Sequence, residues 1–533
     1  MTGKIDLYIR NSESENYHLG HLFMDFMKEK SPDGIFQIDA STDEHETNGS
    51  VWQRSTQLAR ALRQVGLRPG APLALSGANH LDIHIPYYAA LLNGLPVVAV
   101  DPYFKYDEIR YLFKLAEPRV VFCSHAMLST YKRIAEDLDL DLIIVTFDGD
   151  YNMAKFVEEH DDKQDIDEFQ PAEFDTESVY AWLVSTSGTS GLPKVAAFKH
   201  RVLVKQIINF SRLSFIPDDG THMGLNLAPV QWISGYYNAL GMPLVNLIKL
   251  QTSNSDDLEH IIDIINKYKP SSMLSSPATM SLLLKHDKFC DLTCFTMLTI
   301  TGAKPQEGLF KMLKSRLSPD AIVMDAYGQT ETIGPALMPN PEGPVGSCGV
   351  PMPPAIRQIK LVDPETNEEI TEANVPGELW TRGPSFAEYY NNPEETRRAF
   401  TEDGWYKSGD LLYRDERNNY FFVERIKMLI KYKNYHVNPN EIEDLIHQLD
   451  GVLEVCVVGI PDAIVGHLPA ACVVLRPNAT LTAQQIKDLV ADKLAPSKHL
   501  RGGVIFMDKL PKTSTGKVAR AKITKLAPTL KRK

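Results

Sequence analysis

The chain has 533 residues, of which 43% are apolar and 23% are charged, and its net charge is −12. This composition predicts a globular protein of three or four domains or subdomains, and it excludes a disordered chain, a collagen and a small disulfide scaffold. The acidic balance disfavours nucleic-acid binding through overall charge. The charge is uneven, because residues 427–533 carry a net +8 and residues 1–426 a net −20.

Short apolar runs alternate with helical stretches along most of the chain. The first series predicts strand, helix, strand, helix and strand at residues 72–76, 81–93, 97–100, 105–115 and 119–124. The same alternation returns at residues 261–268, 272–275 and 298–301. Repeated strand–helix–strand units are typical of parallel sheets covered on both faces.

The pattern changes after residue 355. Short alternating strands punctuated by Gly and Pro lie at residues 356–362, 377–382 and 420–423, and they predict an antiparallel barrel-like subdomain. A compact, basic α+β unit follows Lys427, with helices predicted at 441–449 and 482–494 and strands at 452–460 and 470–475. The fold class is therefore α/β with an α+β unit at the end.

Nothing in the sequence indicates secretion, a disulfide framework or a membrane span. The six scattered cysteines include no CxxC pair, so we expect free thiols in a reducing compartment. The first 20 residues lack the apolar segment of a secretory signal, and the longest apolar stretch, near 85–100, is too short and broken to cross a bilayer. The sequence ends in KRK rather than Ser-Lys-Leu, so we expect a cytoplasmic protein in preference to a peroxisomal one.

One segment is suited to holding phosphate. A predicted strand at 180–184 runs into STSGTSGLPK at 185–194, and another strand follows at 195–198. Small residues let backbone N–H groups approach phosphate oxygens, the hydroxyls add donors, and Lys194 adds charge. The spacing is not that of a Walker A loop. The alternative is a plain surface turn between two strands.

The loop resembles the signature of the adenylate-forming superfamily, which includes acyl-CoA synthetases, 4-coumarate–CoA ligases, beetle luciferases and non-ribosomal peptide adenylation domains. Further blocks follow in that family's order: YGQTET at 327–332, WYKSGDL at 405–411, ERIKMLIKYK at 424–433 and PKTSTGK at 511–517. The 424–433 block is most similar to the branch that holds 4-coumarate–CoA ligases and luciferases. The resemblance covers essentially the whole chain.

The resemblance implies a two-part architecture and a two-step reaction. Residues 1–426 would form a body of two parallel-sheet subdomains and the antiparallel subdomain, and residues 427–533 a mobile cap that rotates about Lys427. A carboxylate would attack the α-phosphate of ATP in the presence of Mg²⁺, and coenzyme A would then displace AMP. The partners implied are a small carboxylic acid and no nucleic acid, and the protein would be a monomer or weak oligomer.

The resemblance also assigns roles to individual residues. Glu331 would bind Mg²⁺, for which a carboxylate is a suitable hard ligand, and Thr330 would donate to the α-phosphate. Tyr327 would stack near adenine, Asp410 would accept from the ribose hydroxyls, and Arg425 would reach the ribose or phosphate. The residues expected to bind ATP and AMP are Thr186, Ser187, Gly188, Thr189, Ser190, Gly191, Lys194, Tyr327, Asp410 and Arg425.

The catalytic candidates are Thr330, Glu331 and two lysines of the cap. Lys517 is suited to bridging a carboxylate and an α-phosphate oxygen, because lysine is a compact charge on a long stem. Lys431 matches the lysine that luciferase-like members present in a second conformation. The other basic residues near the end, from Arg520 to Lys533, are expected on a solvated helix face.

The acyl pocket is predicted from two blocks. Gln231 and Trp232 stand where beetle luciferases have two histidines, and a tryptophan there resembles the aromatic gate of fatty acyl-CoA synthetases; the alternative for Trp232 is core packing. Gly302 and Ala303 match a stretch near the acyl group, where Lys304 replaces the family's proline.

Three functions remain open from the sequence. The first is an acid–CoA ligase for a fatty or aromatic acid. The second is a luciferase-type oxygenase, in which an adenylated luciferin reacts with O₂, although the Gln231 and Trp232 replacements disfavour the beetle luciferin pocket. The third is a non-catalytic binding protein on the same fold, which the intact charged residues of the blocks disfavour.

Overall fold

The structure is a computed structural model. It describes residues 2–102, 104–186, 194–212, 221–305, 307–432, 435–462, 464–512 and 517–533. Across these residues the chain alternates strands and helices through the body and ends in a smaller unit of both.

The strands of the described residues are numbered in chain order. They are β1 (Ile35–Asp39), β2 (Glu44–Thr47), β3 (Leu73–Leu75), β4 (Val97–Ala99), β5 (Val120–Cys123), β6 (Ile143–Thr146), β7 (Tyr180–Thr186), β8 (Lys194–Lys199), β9 (Met223–Asn226), β10 (Ile248–Gln251), β11 (Ser272–Ser275), β12 (Met297–Thr301), β13 (Ile322–Ala326), β14 (Gly328–Gln329), β15 (Gly334–Pro335), β16 (Gln358–Val362), β17 (Glu369–Ile370), β18 (Gly377–Arg382), β19 (Glu388–Tyr389), β20 (Tyr406–Arg414), β21 (Tyr420–Arg425), β22 (Ile430–Tyr432), β23 (Tyr435–Val437), β24 (Val452–Asp462), β25 (Gly466–Leu475) and β26 (Gly503–Phe506).

The α-helices are numbered in the same way. They are α1 (Thr2–Asn11), α2 (Leu19–Glu29), α3 (Asn48–Gln64), α4 (Ile85–Asn93), α5 (Tyr106–Ala116), α6 (Leu128–Leu138), α7 (Met153–His160), α8 (His200–Arg212), α9 (Ile233–Leu244), α10 (Leu258–Tyr268), α11 (Pro277–Lys285), α12 (Glu307–Arg316), α13 (Pro393–Ala399), α14 (Pro439–Ile446), α15 (Ala483–Lys493) and α16 (Arg520–Leu526).

Two seven-stranded sheets build the body. Sheet I has the order β19-β8-β7-β4-β3-β5-β6, and sheet II has the order β13-β12-β11-β9-β10-β1-β2. The central strands of both sheets are parallel, whereas β8 and β19 at one edge of sheet I and β2 at one edge of sheet II are antiparallel. The predicted parallel α/β body is therefore confirmed, with an antiparallel edge on each sheet.

Three smaller sheets follow, of which one is the two-stranded antiparallel pair β14-β15. Sheet III is antiparallel with the order β17-β16-β18-β20-β21, as the alternating strands predict. Sheet IV contains β22 to β26, of which only β26 pairs in parallel. A 3-10 turn at Ile426–Met428 joins β21 of sheet III to β22 of sheet IV, and the predicted hinge residue Lys427 is exposed in this turn.

The helix predicted at 81–93 begins four residues later, at Ile85. The polar residues before it form turns instead: Asp82 N–H donates to His80 Nδ1 at 3.2 Å, and Ile85 N–H donates to Asp82 O at 3.1 Å. Side-chain bonds of this kind compete with helical ones.

Two further expectations can be compared with the structure. All six cysteines are free. No helix in the described ranges has both the length and the apolar character needed to cross a membrane.

Candidate active site

Asp410 lies at the centre of a hydrogen-bonded cluster between sheets II and III. Its carboxylate is almost fully buried, and Oδ2 accepts hydrogen bonds from the Tyr327 hydroxyl at 2.8 Å and from Gln329 Nε2 at 2.6 Å. Oδ1 lies 3.2 Å from Arg425 Nε and has no hydrogen-bond partner among the described residues. Burial raises the pKa of Asp410, and Arg425 partly offsets that rise. Oδ1 therefore retains the capacity to accept a hydrogen bond from a ligand hydroxyl.

Strand pairing places the two charges together. Asp410 on β20 is directly opposite Arg425 on β21. Gly409, just before Asp410, has φ = 69°, a left-handed conformation that favours glycine, and its N–H donates to Glu378 Oε1 at 2.9 Å. The SGD portion of the block thus fixes the carboxylate through backbone geometry as well as through side-chain bonds.

Gln329 is a site residue that the sequence analysis missed. Its Nε2 donates to Asp410, and its Oε1 accepts from the Tyr406 hydroxyl at 2.7 Å. It therefore connects the block at 327–332 to the block at 405–411. Gln329 occupies a variable position of the YGxTE block, so the sequence pattern carries no signal for it.

Glu331 and Lys194 meet on opposite sides of one tyrosine. The Tyr389 hydroxyl donates to Glu331 Oε1 at 2.8 Å, and Lys194 Nζ lies 4.7 Å from the centre of the Tyr389 ring. Lys194 also forms an ion pair with Glu395. Burial, followed by the charge of Glu331, raises the pKa of Tyr389, so this hydroxyl stays a donor. Tyr389 was not predicted, and only its position beside the family blocks could have indicated it.

Hydrogen bonds to backbone carbonyl groups stabilise the turn that carries Thr330 and Glu331. Arg357, which is 1% exposed, donates from Nη2 to Thr332 O at 2.9 Å, and Thr332 Oγ1 donates to Gly334 O at 2.7 Å. Thr330 itself is half-buried. Arg357 is a second residue that the motifs did not indicate, because it lies outside every family block.

The predicted phosphate loop is described at its two ends. Thr186 ends β7 and Lys194 begins β8, and the two residues are directly paired in the antiparallel ladder. This pairing is the base of a hairpin, as the sequence predicts. The predicted phosphate-binding residues between them, namely Ser187, Gly188, Thr189, Ser190 and Gly191, lie outside the described residues.

Lys517 reaches across from the C-terminal unit to the body. A Cβ atom placed on Gly302 would lie 3.4 Å from Lys517 Nζ, so the ammonium group sits against the end of β12. Desolvation by the surrounding protein, and then the charge of Arg425, lower the pKa of Lys517 although its side chain remains accessible. The structure thus brings Lys517, Arg425 and Asp410 into one cleft. The segment before Lys517, residues 513–516, lies outside the described residues.

Lys431 is located elsewhere. It lies on β22 and is exposed, and none of the side-chain bonds seen in the described ranges joins it to the body. The two candidate lysines of the C-terminal unit are therefore in different settings, one in the cleft and one in solvent.

The acyl-pocket candidates lie on loops at the carboxyl ends of β9 and β12. Gln231 is buried, and its Oε1 has no partner among the described residues. Trp232 is half-buried at the start of α9, so it is not simply a core residue. Gly302 has φ = 89°, and Ala303 beside it is exposed. These ends are where parallel sheets usually bind ligands.

The expectation for Arg520 is wrong. Its Nη1 donates to Val457 O at 2.6 Å and its Nη2 donates to Glu443 Oε2 at 3.1 Å, so it is a half-buried structural residue rather than part of a solvated face. Lys304, which replaces the family's proline, forms an ion pair with Asp444 of α14 at 3.7 Å. The position of Arg520 in its helix could not show that the Glu443 carboxylate lies beside it.

Two family models match most of the chain. The family model described as AMP-binding enzyme matches residues 27–391, and the model described as AMP-binding enzyme C-terminal domain matches residues 441–517. The two matches together contain the phosphate-loop ends, Glu331, Tyr389 and Lys517.

Curated relatives match over most of their length. The luciferin 4-monooxygenase of Photinus pyralis is 31% identical over 516 residues, which cover 93% of this chain and 91% of the relative. The 4-coumarate–CoA ligase-like 9 protein of Arabidopsis thaliana is 29% identical over 504 residues, which cover 92% and 87% of the two chains.

A solved structure shows the same fold. ATP-bound MatB from Rhodopseudomonas palustris superposes with a TM-score of 0.84 at 22% identity, and the match covers 96% of this chain and 99% of the other.

Proposed function

The chain belongs to the AMP-binding enzyme family, and we propose that it is an acid–CoA ligase that activates a carboxylic acid with ATP and transfers the acyl group to coenzyme A. The observation that carries this proposal is the position of Lys517. Its ammonium group lies against Gly302, in the cleft that also holds Asp410 and Arg425.

The residues of the cleft suit the first step. A carboxylate oxygen forms a bond to the α-phosphorus, the bond to the bridging oxygen breaks, and pyrophosphate leaves. Negative charge accumulates on the α-phosphate oxygens, so pre-positioned cations stabilise the transition state. Lys517 and Thr330 serve the α-phosphate, and Lys194 with the loop before it serves the leaving pyrophosphate.

The nucleoside is held by polar groups of the cleft. Asp410 Oδ1 has no hydrogen-bond partner among the described residues, and it accepts from a ribose hydroxyl in this proposal. Tyr327 and Gln329 fix the carboxylate from its other oxygen, which leaves Oδ1 pointed away from them. Burial raises the pKa of Asp410, and the nearby Arg425 guanidinium opposes that rise.

A magnesium ion fits the acidic group available. The Tyr389 hydroxyl donates a hydrogen bond to Oε1 of Glu331 and not to Oε2. The described ranges contain no cluster of three or more side chains that could hold a metal ion. Mg²⁺ is commonly held by one or two carboxylates together with phosphate oxygens and water, so a single Glu331 carboxylate is sufficient. When bound, the ion would neutralise charge on the phosphates.

The second step requires a different face of the C-terminal unit. Residues 427–533 form a cap that rotates about Lys427, withdraws Lys517 and brings Lys431 to the cleft for attack by the coenzyme A thiol on the acyl carbonyl. The exposed 3-10 turn at Ile426–Met428 is the connection that absorbs this rotation. AMP is the leaving group.

The proposal is tested by carboxylate-dependent exchange of pyrophosphate into ATP across a panel of acids. We expect exchange with at least one acid, and AMP and a thioester when coenzyme A is added. Failure of exchange with every acid would favour a non-catalytic binding protein on this fold.

Replacing the two lysines separates the half-reactions. Lys517→Ala should lower acyl-adenylate formation by about 10²–10³-fold, because it removes transition-state charge stabilisation. Turnover of preformed acyl-adenylate with coenzyme A should change less than about threefold, and Lys431→Ala should show the reverse pattern, since each lysine serves one step. Lys522→Ala, at an exposed lysine of the same unit, is the control. Equal loss of both half-reactions in Lys517→Ala would refute the rotation of the cap.

A luciferase-type oxygenase is the second candidate, supported by the similarity to the Photinus pyralis protein. It shares the adenylation step and differs in the co-reactant. Light emission with O₂ in the absence of coenzyme A would favour it over the ligase.

A further inference from the structure

The carboxyl ends of two adjacent strands in sheet II carry buried carboxamides. Asn226 ends β9 and Gln251 ends β10, and the parallel ladder places these two residues directly opposite each other. Both side chains are fully buried. Central parallel strands normally read as apolar runs, so two polar residues at one point of the ladder need an explanation.

Asn226 presents an unused hydrogen-bond donor. Its Oδ1 accepts from the backbone N–H of Ala228 at 3.3 Å and from Asn238 Nδ2 at 3.0 Å. A backbone N–H can only donate, so the atom that faces Ala228 is the oxygen and the other atom is the amide nitrogen. This Nδ2 is buried and has no partner among the described residues.

Gln251 presents an unused acceptor beside it. Its Nε2 donates to Gln37 Oε1 at 3.2 Å and to His80 O at 2.9 Å, and its Oε1 is buried without a partner in the described ranges. Gln37 is on β1, which lies on the far side of β10 from β9. Gln251 and Asn226 are register partners on neighbouring parallel strands, so their side chains leave the same face of sheet II.

One chemical group satisfies both atoms. Each buried polar atom without a partner costs on the order of 1–3 kcal/mol. A hydroxyl oxygen can accept from Asn226 Nδ2 while its proton is donated to Gln251 Oε1. A methyl group in the same place would leave both atoms without partners.

The face of sheet II that carries Asn226 and Gln251 is less buried on the strands nearer the cleft. Helix α9 covers β9 on this face, since a Cβ placed on Gly224 would lie 3.1 Å from Met242 of α9. On the next strands toward Lys517, the residues of the same face are only half-buried: Leu274, Thr299 and Met324. Their neighbours in the strands, such as Leu298 and Ile300, face the buried core on the opposite side.

Strand spacing sets the distance from Lys517 to these two carboxamides. Lys517 lies against Gly302 at the end of β12, and β9 and β10 are two and three strands away. At about 4.8 Å per strand, the hydroxyl position is roughly 10–14 Å from the carboxylate position. An extended chain of about 8–11 bonds covers that distance, at roughly 1.2 Å per bond.

We propose that Asn226 and Gln251 form the distal end of the acyl pocket and select an acid that carries a hydroxyl group at this distance from its carboxylate. Trp232, half-buried at the start of α9, lies on the loop that follows Asn226. The inference rests on the proposed acid-activating function and adds the class of acid.

The test uses pairs of acids that differ in one group. Pyrophosphate exchange is measured with 8-hydroxyoctanoate against nonanoate and with 10-hydroxydecanoate against undecanoate, so that a hydroxyl replaces a methyl at constant length. We expect kcat/KM to favour the hydroxy acid by at least about tenfold in one pair, because the methyl leaves buried groups without partners.

Variants test whether Asn226 and Gln251 cause the preference for hydroxy acids. Asn226→Leu and, independently, Gln251→Met should bring the ratio of the paired kcat/KM values close to one. Asn266→Leu is the matched control, because Asn266 lies on α10 over the opposite face of sheet II and both its amide groups are bonded. The ratio is taken within each enzyme preparation, so a loss of folded protein does not change it.

The outcomes separate the two proposals. Good exchange with the alkyl acids and no preference for the hydroxy acids would overturn this inference alone and leave an internal water as the partner of both amides. A preference that survives both substitutions would also overturn it. No exchange with any acid would overturn the proposed function and this inference with it.

Discussion

Sheets I and II have seven strands each and similar topology, but their strands differ in chemistry. The central strands β3, β4 and β5 of sheet I read LAL, VVA and VVFC, and every residue in them is buried. In sheet II, β9 reads MGLN and β10 reads IKLQ, and their polar residues Asn226, Lys249 and Gln251 are equally buried. Sheet I is thus a packing element, whereas sheet II carries polar groups into the interior.

The difference is greatest at Lys249. This lysine is fully buried, with Nζ 3.0 Å from His84 Nδ1 and 5.8 Å from the Phe36 ring centre. Burial lowers its pKa to about 7, an effect that Glu46 partly opposes. Between pH 6 and pH 9, stability should therefore depend mainly on packing in the central strands of sheet I and on pH in sheet II. Three substitutions test this contrast, and a fourth tests a contact of the C-terminal unit.

The largest effect is expected from a cavity in sheet I. Phe122→Ala removes a fully buried ring from β5 and should lower the free energy of unfolding by about 3–5 kcal/mol. The loss should be equal at pH 6 and pH 9 in urea unfolding. Phe289→Ala, at a ring that is 71% exposed, is the control and should change little. A strongly pH-dependent loss would contradict the contrast between the sheets.

The next effect is expected at Lys249. Because its pKa falls from 10.5 to about 7 on folding, the unfolded chain binds an extra proton between these values, so stability rises with pH through that window and is lowest below pH 7. Lys249→Met should remove this slope and stabilise the protein at pH 6 by about 1–4 kcal/mol.

Two further variants complete that test. Lys249→Met leaves His84 without its partner, so the double variant with His84→Leu should be more stable than the single one. Lys267→Met, at an exposed lysine, should leave the pH slope unchanged. An unaltered slope in Lys249→Met would show that this lysine does not titrate in the window.

A smaller effect of opposite sign is expected at Asp325 on β13. Burial raises its pKa from 3.8 to about 7, so the folded protein keeps a proton that the unfolded chain has lost, and stability falls as pH rises through this window. Asp325→Asn should remove that fall and stabilise the protein at pH 8 by about 1–2 kcal/mol. Urea unfolding at pH 5 and pH 8 measures it, with the exposed Asp320→Asn as control. If Asp325→Asn changed the free energy of unfolding by the same amount at both pH values, Asp325 would not titrate in this window.

The smallest effect is expected from the exposed ion pair between Lys304 and Asp444. Exposed pairs contribute about 0–1 kcal/mol and are weakened by salt. Lys304→Ala should change the rate of adenylation less than about threefold, and any change should vanish at high salt. Lys311→Ala, an exposed lysine on α12, is the reference. A salt-independent loss would show that the pair holds the C-terminal unit in place more firmly than its exposure suggests.

The same contrast explains which strands could be predicted. Continuous apolar runs indicated β3, β4 and β5 to within one residue, and β11 and β18 were predicted at their observed bounds. Strands β1, β9 and β10 were not predicted, because Gln37, Asn226 and Lys249 interrupt the apolar pattern on which strand prediction depends. Two of these residues also have proposed roles, Asn226 in substrate selection and Lys249 in the pH dependence of stability.

The ordered motifs were sufficient to identify the family and the α/β fold class, since each motif combines residue type with spacing along one segment. The roles of the charged residues in these motifs stay predictions. Contacts between distant segments could not be read in this way. The bridging roles of Gln329 and Tyr389, the support from Arg357, the burial of Arg520 and the donor–acceptor pair of Asn226 and Gln251 all depend on which strands become neighbours. Strand order and burial arise from packing the whole chain. The net positive charge of residues 427–533 could be counted from the sequence, but only the tertiary structure shows that Lys517 lies against Gly302 of the body.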